Sequence, residues 1–262
     1  MTLTAEALTL GYGDRMVVEH LDLTLPPGRV TAILGPNGCG KSTLLHALAR
    51  LTRPISGRVS LEGRDLGAYA PRALARRLAI LPQGPAAPEG IRVGDLVRRG
   101  RTPWRGMLSP WSEADARACA AALEAVGMTA LAERPLQALS GGQRQRAWIA
   151  LALAQDTPAL LLDEPTTFLD LVHQIEVLRL LRRRNREMGT TVISVLHDLN
   201  LAARFSDHLV LMGRGGVVAA GAPGAVMTPD NLKAAFGLNA RVEPDPETGA
   251  PMVIPRADGG DA

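Results

Sequence analysis

Cysteine, lysine and aromatic residues are scarce in this sequence of 262 residues. Its two cysteines, Cys39 and Cys119, form neither a C-x-x-C motif nor a cluster with histidine, which argues against a disulfide framework and a structural zinc site and fits a reducing compartment. The only lysines are Lys41 and Lys233, so arginine supplies the rest of the 29 basic residues. Against 26 acidic residues they leave a net charge of +3, which falls short of the concentrated basic stripe of a dedicated nucleic-acid binder. We therefore expect no nucleic-acid partner.

Long apolar runs are also absent. The longest stretch without Asp, Glu, Lys or Arg covers residues 215–229, and four glycines and two prolines interrupt it, so it does not read as a membrane-spanning helix of about 20 apolar residues. Residues 1–10 have no basic segment, and Glu6 interrupts their apolar character, which argues against a secretory signal. With 46% hydrophobic and 21% charged residues, the composition indicates a globular protein of one large or two modest domains.

Short apolar runs alternate with helical patterns along the chain. An antiparallel hairpin is predicted from residues 7–10 and 21–25, and helices are predicted after residue 41, over 112–126, over 143–154 and between residues 162 and 191. Buried strands are predicted at Val30–Leu34, Leu78–Leu81, Ala159–Leu162 and 191–196. Leucine propensity alone favours a helix at Ala159–Leu162, and the surrounding pattern favours the strand. This alternation predicts an α/β fold with a parallel sheet covered on both faces.

Residues 35–42, Gly-Pro-Asn-Gly-Cys-Gly-Lys-Ser, match the phosphate-loop pattern G-x-x-x-x-G-K-[ST] between a predicted strand and a predicted helix. Backbone N–H groups of such a loop surround phosphate oxygens, the lysine reaches the β and γ phosphates, and the Ser42 hydroxyl ligates Mg²⁺. A chance glycine turn is the alternative, and the strand before and helix after the motif disfavour it. The predicted nucleotide-binding residues are Gly35, Pro36, Asn37, Gly38, Cys39, Gly40, Lys41, Ser42 and Thr43.

Two carboxylates, Asp163 and Glu164, directly follow the strand predicted at Ala159–Leu162. Because side chains alternate along a strand, we expect them to point to opposite sides and to act differently. Taken alone, the pair is better interpreted as a solvated strand end. Together with the phosphate loop it predicts that Asp163 holds Mg²⁺ and that Glu164 polarises the attacking water as a general base.

The segment Leu139, Ser140, Gly141, Gly142 and Gln143 carries a second phosphate-binding signal. Ser140 and Gln143 have the spacing of a capping box, which starts a helix. Two glycines in a first turn each cost about 1 kcal/mol relative to alanine, so a cap alone does not explain them. They make sense if a phosphate approaches this helix N-terminus closely.

With these motifs the chain resembles the ATP-binding cassette (ABC) family over most of its length. Further matches in family order are Tyr12 at the position that stacks on adenine, Gln83 at the glutamine loop, Asp170 at the D-loop and His197 at the switch histidine. The resemblance implies an ABC ATPase fold, which is a P-loop NTPase (RecA-like) core with an antiparallel β subdomain and a helical subdomain insertion. It implies ATP and Mg²⁺ as cofactors, with Glu164, His197 and Gln83 as catalytic residues and Ser42, Gln83 and Asp163 around Mg²⁺.

The same resemblance implies a domain division and a dimer. Residues 1–82 and 156–240 are expected to form the core with its β subdomain, about 83–155 the helical subdomain, and 241–262 a C-terminal tail or hairpin. Because the chain has one phosphate loop and one signature, the active form needs a second copy or a partner cassette. A homodimer is the simpler expectation, in which two copies pair head to tail with residues 139–143 on the partner's ATP and Asp170 at the contact.

Within the family, residues 143–174 and 195–207 are similar to the importers of iron(III)-siderophores, haem and cobalamin, and most of all to the ferric-siderophore branch. The resemblance implies a peripheral ATPase on the cytoplasmic face of the cell membrane. Its implied partners are permease subunits and, indirectly, a periplasmic or lipid-anchored siderophore-binding protein. A haem or cobalamin importer, an exporter ATPase and a soluble ABC protein of DNA repair or translation remain alternatives.

The resemblance also implies that the permease docks near Gln83 and residues 92–111, where arginines accompany Trp104 and Trp111. Arginine and tryptophan are enriched at the centres of protein interfaces. A solvated, arginine-rich loop is an equally good interpretation of this segment.

Overall fold

A computed structural model of the chain describes residues 1–13, 15–106 and 109–256. It divides into two compact units, Met1–Leu66 with Ile193–Ala262 and Gly67–Val192. The unit boundary falls inside one strand, Thr191–Val195.

Twelve strands and nine α-helices are found in the described residues. The strands are β1 (Leu3–Tyr12), β2 (Arg15–Leu25), β3 (Val30–Leu34), β4 (Ser56–Leu61), β5 (Arg64–Asp65), β6 (Leu78–Leu81), β7 (Ala159–Leu162), β8 (Thr191–Val195), β9 (His208–Gly213), β10 (Gly216–Gly221), β11 (Ala240–Pro244) and β12 (Pro251–Pro255). The helices are α1 (Lys41–Leu48), α2 (Pro71–Ala75), α3 (Val93–Arg98), α4 (Glu113–Ala125), α5 (Gly141–Ala154), α6 (Leu171–Met188), α7 (Leu199–Phe205), α8 (Pro223–Val226) and α9 (Pro229–Phe236).

The first unit contains an antiparallel sheet in the order β2-β1-β4-β5. Strands β1 and β2 form the predicted hairpin, with Leu3 opposite Leu25 and Leu10 opposite Val18. All four of these side chains are buried, so one face of the hairpin belongs to the core. Asp14, which the prediction places in the hairpin turn, lies outside the described residues.

The same unit contains a second group of strands in the order β10-β9-β3. Strand β3 pairs with β9 in parallel, and all five residues of β3 are buried. Such a strand is covered on both faces, as its uninterrupted apolar sequence predicts. Helix α1 follows β3 and begins where the phosphate loop ends. Strands β11 and β12 form a C-terminal antiparallel hairpin.

In the second unit, β6 and β7 pair in parallel, with Leu78 opposite Ala159 and Leu81 opposite Leu162. Every residue of β7 is buried. The four leucine and alanine residues therefore form a strand despite their helix propensity, because burial between neighbouring elements outweighs intrinsic preference.

Helices α3, α4 and α5 of the second unit pack against one another. Helix α4 begins with a capping box in which the Ser112 hydroxyl accepts from the backbone N–H of Asp115. A buried ion pair fixes this start, since Arg101 Nε lies 2.9 Å from Asp115 Oδ1 and Arg101 Nη1 donates to the carbonyl of Ala154 at 2.9 Å. Nowhere in the described part of the chain is a helix long and apolar enough to cross a membrane.

Candidate functional site

The phosphate loop lies in the first unit, between β3 and α1. Gly40 precedes α1 with a φ of 100°, a left-handed conformation that side chains rarely adopt. A Cβ at Gly40 would lie 2.5 Å from Cγ1 of Val17, and one at Gly35 would lie 2.5 Å from the carbonyl oxygen of Met212. Both glycines are therefore needed for the close packing of this loop.

Lys41 is held at the base of this loop. Its side chain is buried, and Nζ donates to the carbonyl oxygens of Gly35 and Pro36, both at 2.9 Å. These acceptors compensate the burial of an ammonium group. The ammonium is thereby held among the residues of the predicted phosphate-binding loop.

The other loop residues differ in exposure. Asn37 and Gly38 are exposed, Ser42 is half-buried, and Thr43 and Cys39 are buried. Burial raises the pKa of the Cys39 thiol, and the nearby Lys41 ammonium opposes this shift. The side chain of Tyr12, predicted to stack on adenine, lies outside what the structure describes, although its backbone ends β1.

Asp163 and Glu164 lie in the second unit, after β7. Asp163 is buried and continues the β6–β7 ladder, because its N–H donates to the carbonyl of Leu81 at 2.8 Å. Glu164 has a φ of 51°, so it leaves the strand conformation. Strand alternation, the premise for placing the two carboxylates on opposite sides, therefore ends at Asp163. That the two carboxylates act differently stays a prediction.

The carboxylate of Glu164 is held by two donors. Gln83 Nε2 donates to Oε2 at 2.9 Å, and the hydroxyl of Thr167 donates to the same oxygen at 3.1 Å. The structure thus brings together two of the predicted catalytic residues. Sequence reasoning missed Thr167. Its spacing could have indicated the contact, because a hydroxyl three residues after Glu164 can meet the carboxylate across a turn.

Residues 139–143 form the start of α5. Ser140 and Gln143 make the predicted capping box, with Ser140 N 3.1 Å from Gln143 Oε1 and Gln143 N 3.2 Å from the Ser140 hydroxyl. Leu139 is buried, whereas Ser140 and Gly141 are exposed. A Cβ at Gly142 would lie 3.1 Å from Cδ2 of Leu169. The second glycine therefore permits close packing of the helix start on the segment that follows Glu164.

Asp170 caps α6, and its Oδ1 accepts from the backbone N–H of His173 at 2.9 Å and contacts His173 Nδ1 at 2.7 Å. The hydrogen bond from the His173 backbone, together with the ring, lowers the pKa of Asp170. Three apolar side chains close in sequence are exposed here, with Phe168 at 81% and Leu171 and Val172 above 60%. Leu171 has the spacing to share a face of α6 with Ile175, Leu178 and Leu181, but only Leu178 and Leu181 are buried, and Ile175 is half-buried.

His197 is exposed and immediately follows Leu196, whose N–H donates to the carbonyl of Ile33 at 3.1 Å. Asp198 caps α7 next to it, since Oδ1 accepts from Leu201 N at 2.8 Å. Helix α7 is in turn bound to the C-terminal hairpin, where Asn200 exchanges two hydrogen bonds with the backbone of Val253. The position of His197 is thus set by β8 on one side and a capped helix on the other.

The arginine-rich segment 92–111 lies in the second unit, except that Met107 and Leu108 lie outside the described residues. Trp104 is flanked by the guanidinium groups of Arg76 and Arg101, and Trp111 by those of Arg98 and Arg105, each at 5.3 or 5.4 Å. Both tryptophans remain partly exposed. The arginines are therefore ordered by cation–π contacts instead of extending freely into solvent.

Comparison with known proteins gives consistent matches. The family model described as ABC transporter matches residues 18–167. The chain is 53% identical to an achromobactin transport ATP-binding protein of Dickeya dadantii (strain 3937), over 97% of this chain and 94% of that protein. It is 48% identical to an iron(3+)-hydroxamate import ATP-binding protein of Bacillus subtilis (strain 168), over 97% and 94% of the two chains. A solved structure described as an inward-facing metal-chelate type ABC transporter matches with a TM-score of 0.84 and 30% identity, over 98% of both chains.

Proposed function

Because the chain belongs to the ABC transporter family and is an ATPase of that family, we propose that it energises the import of iron(III)-siderophore complexes. The observation that carries this proposal is similarity over nearly the whole chain to ATP-binding proteins that are named for achromobactin transport and iron(3+)-hydroxamate import. Under this proposal, the side chains of the ATP-binding subunit do not select the cargo. The iron chelate is the substrate of the transport system that the ATPase drives.

In the proposed site, residues 35–43 bind the triphosphate of ATP and Tyr12 stacks on its adenine. The buried ammonium of Lys41, 2.9 Å from two loop carbonyls, exchanges these contacts for phosphate oxygens. Backbone N–H groups at the start of α1 add the favourable end of a helix dipole. Charge and loop geometry both favour an anionic ligand at this position.

The proposed Mg²⁺ ligands are the Ser42 hydroxyl, the Asp163 carboxylate and the amide oxygen of Gln83. This donor set fits the ion, since Mg²⁺ prefers oxygen ligands and usually takes only one or two carboxylates together with phosphate and water oxygens. When bound, Mg²⁺ neutralises charge on the phosphates during phosphoryl transfer.

Hydrolysis in this proposal depends on Glu164. Its carboxylate accepts a proton from water as the water oxygen bonds to the γ-phosphorus, the bond from that phosphorus to the bridging oxygen breaks, and ADP and inorganic phosphate result. Gln83, 2.9 Å from Oε2, orients the carboxylate. His197, exposed at the end of β8, stabilises the γ-phosphate.

A second copy of the chain completes each site in the proposed cycle. The start of α5, residues 139–143, of which Ser140 and Gly141 are exposed, binds the γ-phosphate held by the partner, and Asp170 lies at the contact. The exposed side chains of Phe168, Leu171 and Val172 supply apolar area for this contact, because exposed apolar patches mark interaction sites.

Permease subunits are the proposed membrane partners, which places the ATPase on the cytoplasmic face of the membrane as a peripheral protein. The tryptophan and arginine side chains of residues 92–111 provide the docking surface. Cation–π contacts already hold these side chains in place. This favours binding, because side chains fixed in advance lose less entropy when a partner helix packs on them.

Uptake of radiolabelled iron tests the proposal in a strain that lacks this protein. Labelled hydroxamate and catecholate siderophores are supplied, with labelled haem and cobalamin in parallel. We expect wild type to restore iron uptake and Glu164→Gln to fail. Glu176→Gln, the same change at an exposed position of α6, is the control and should restore uptake. Recovery of haem or cobalamin uptake alone contradicts the siderophore assignment, and full recovery by Glu164→Gln contradicts the role of Glu164.

A further inference from the structure

Glu164 lies in an unusual backbone conformation. Its φ of 51° and that of Phe168 at 66° are left-handed, a region that costs a residue with a side chain free energy and persists only where the surroundings enforce it. The turn between them is closed by hydrogen bonds from Thr167 N to Glu164 O at 3.2 Å and from Leu169 N to Thr166 O at 3.3 Å. A base on such a turn needs further contacts to keep one position.

One of these contacts comes from α5. The side chain of Gln145 is half-buried, and its Nε2 donates to the carbonyl of Pro165 at 3.1 Å and to that of Glu164 at 3.4 Å. Both acceptors belong to the backbone of the strained turn. Gln145 is also only two residues from Gln143 of the capping box, so it connects the start of α5 to the residue that carries the base.

A second contact holds the carboxylate itself. The Thr167 hydroxyl donates to Glu164 Oε2 at 3.1 Å, on the same oxygen that accepts from Gln83. The next residues pack on the helix start, since a Cβ at Gly142 would lie 3.6 Å from the carbonyl oxygen of Phe168 and 3.1 Å from Leu169 Cδ2. The helix start thus contacts the turn at both of its ends.

We propose that Gln145 and Thr167 are positioning residues for Glu164, so that the base is correctly placed only when the start of α5 is. The inference rests on the proposed role of Glu164 and deepens it. A phosphate bound by the partner copy at residues 139–143 fixes the start of α5. Gln145, which lies in the first turns of α5, then holds the backbone of Glu164 in place through its hydrogen bonds. Thr167 fixes the rotamer of the Glu164 carboxylate.

The first test compares two glutamines of one helix by purifying the full chain and measuring kcat, KM for ATP and Tm. Gln145→Leu removes the donor at the turn. Gln155→Leu is the matched control, because Gln155 Nε2 also donates to two carbonyls, those of Ala75 at 2.6 Å and Leu78 at 3.2 Å, at the other end of α5. We expect Gln145→Leu to lower kcat about tenfold with KM unchanged, as for loss of alignment by one hydrogen-bonded contact. Gln155→Leu should lower Tm but leave kcat within about twofold.

Variants of Thr167 provide an independent test. Thr167→Val replaces the hydroxyl by a methyl group of similar size, and Thr167→Ser restores a donor. We expect kcat to fall about fivefold in Thr167→Val and to recover in Thr167→Ser. If Gln145→Leu does not fold, Gln145→Met takes its place, since a flexible side chain adapts to a half-buried site.

The inference is overturned if kcat falls equally in Gln145→Leu and Gln155→Leu, if the loss appears in KM, or if Thr167→Ser and Thr167→Val behave alike. Failure of the proposed function gives a different pattern. If wild type does not hydrolyse ATP, the assignment of the site itself is wrong, whereas normal hydrolysis by wild type and by Gln145→Leu removes only the positioning role.

Discussion

Lys41 places a positive charge where water has little access. Lys41 is only 5% exposed, and its ammonium donates to two neutral carbonyls, those of Gly35 and Pro36. A buried charge that is satisfied only by neutral groups interacts strongly with an anion that arrives nearby, because the surroundings screen it weakly. ATP affinity is therefore expected to depend on this one side chain.

Lys41→Ala should raise the Kd for ATP by more than about tenfold, since a charge-assisted contact contributes roughly 1.5–3 kcal/mol. Titration of a fluorescent ATP analogue measures it. Lys233→Ala is the control, because Lys233 is the only other lysine of the chain and is exposed on α9. Equal affinity in wild type and Lys41→Ala would disprove the assignment of the loop.

Individual residues differ in how far the sequence reveals them. The phosphate loop and the Ser140–Gln143 capping box are predictable, because each is a contiguous pattern whose geometry follows from local backbone preferences. Gln145 and Thr167 are not, since their hydrogen bonds to the Glu164 turn depend on how α5 and the segment after β7 pack. The left-handed Glu164 also escapes prediction, because a strand pattern that ends in two carboxylates carries no sign of a turn.

Helix α4 shows how an element can depend on one buried charge pair. Arg101 and Asp115 are both less than 10% exposed and lie 2.9 Å apart. Burial alone would raise the pKa of Asp115, but hydrogen bonds from Ser112 and Arg101 outweigh it and lower that pKa. A carboxyl with a lowered folded-state pKa stabilises the fold above its unfolded pKa of about 3.9, and this contribution is lost as the pH falls through the folded value.

Asp115→Asn should lower the free energy of unfolding at pH 7 by about 3–5 kcal/mol, because it leaves the Arg101 guanidinium buried without its counter-charge. The deficit should shrink as the pH falls below about 4, because the unfolded wild-type chain then takes up a proton that the folded Asp115, with its lowered pKa, does not. Urea unfolding between pH 7 and 3 measures both effects. Glu113→Gln, a change at a 95% exposed side chain of α4, should stay within about 0.5 kcal/mol of wild type. A deficit that is constant with pH would contradict the ion-pair explanation.

Whole elements were predicted more reliably than the contacts between them. Strands β3, β6 and β7 begin and end at the predicted residues, because uniform burial on both faces leaves an uninterrupted apolar run. Helix α6 was predicted from its period, yet Leu171 at its start is 61% exposed. Periodicity predicts which face of a helix is apolar, but it does not predict over what length of the helix that face is buried.

At the scale of the whole molecule, each chain carries one phosphate loop and one signature segment. If the two bind the same ATP from different copies, a dimer forms only while ATP is intact. Hydrolysis removes the γ-phosphate that joins them. Blocking hydrolysis should therefore accumulate the dimer.

Glu164→Gln should elute from size exclusion as a dimer with ATP and Mg²⁺ and as a monomer with ADP, while its hydrolysis rate falls by about 10²–10⁴-fold. The double variant Glu164→Gln, Lys41→Ala is the control and should remain monomeric with ATP. A dimer whose amount is independent of nucleotide would show that the copies associate by another surface.

The capping box at the start of α5 affects how easily the proposed dimer reopens after hydrolysis. Ser140 and Gln143 satisfy each other's backbone N–H groups. A phosphate bound here would compete with these two hydrogen bonds, and they re-form when it leaves. We therefore expect rapid, reversible contact at this segment, so that the lifetime of the proposed closed dimer depends on the rest of its interface.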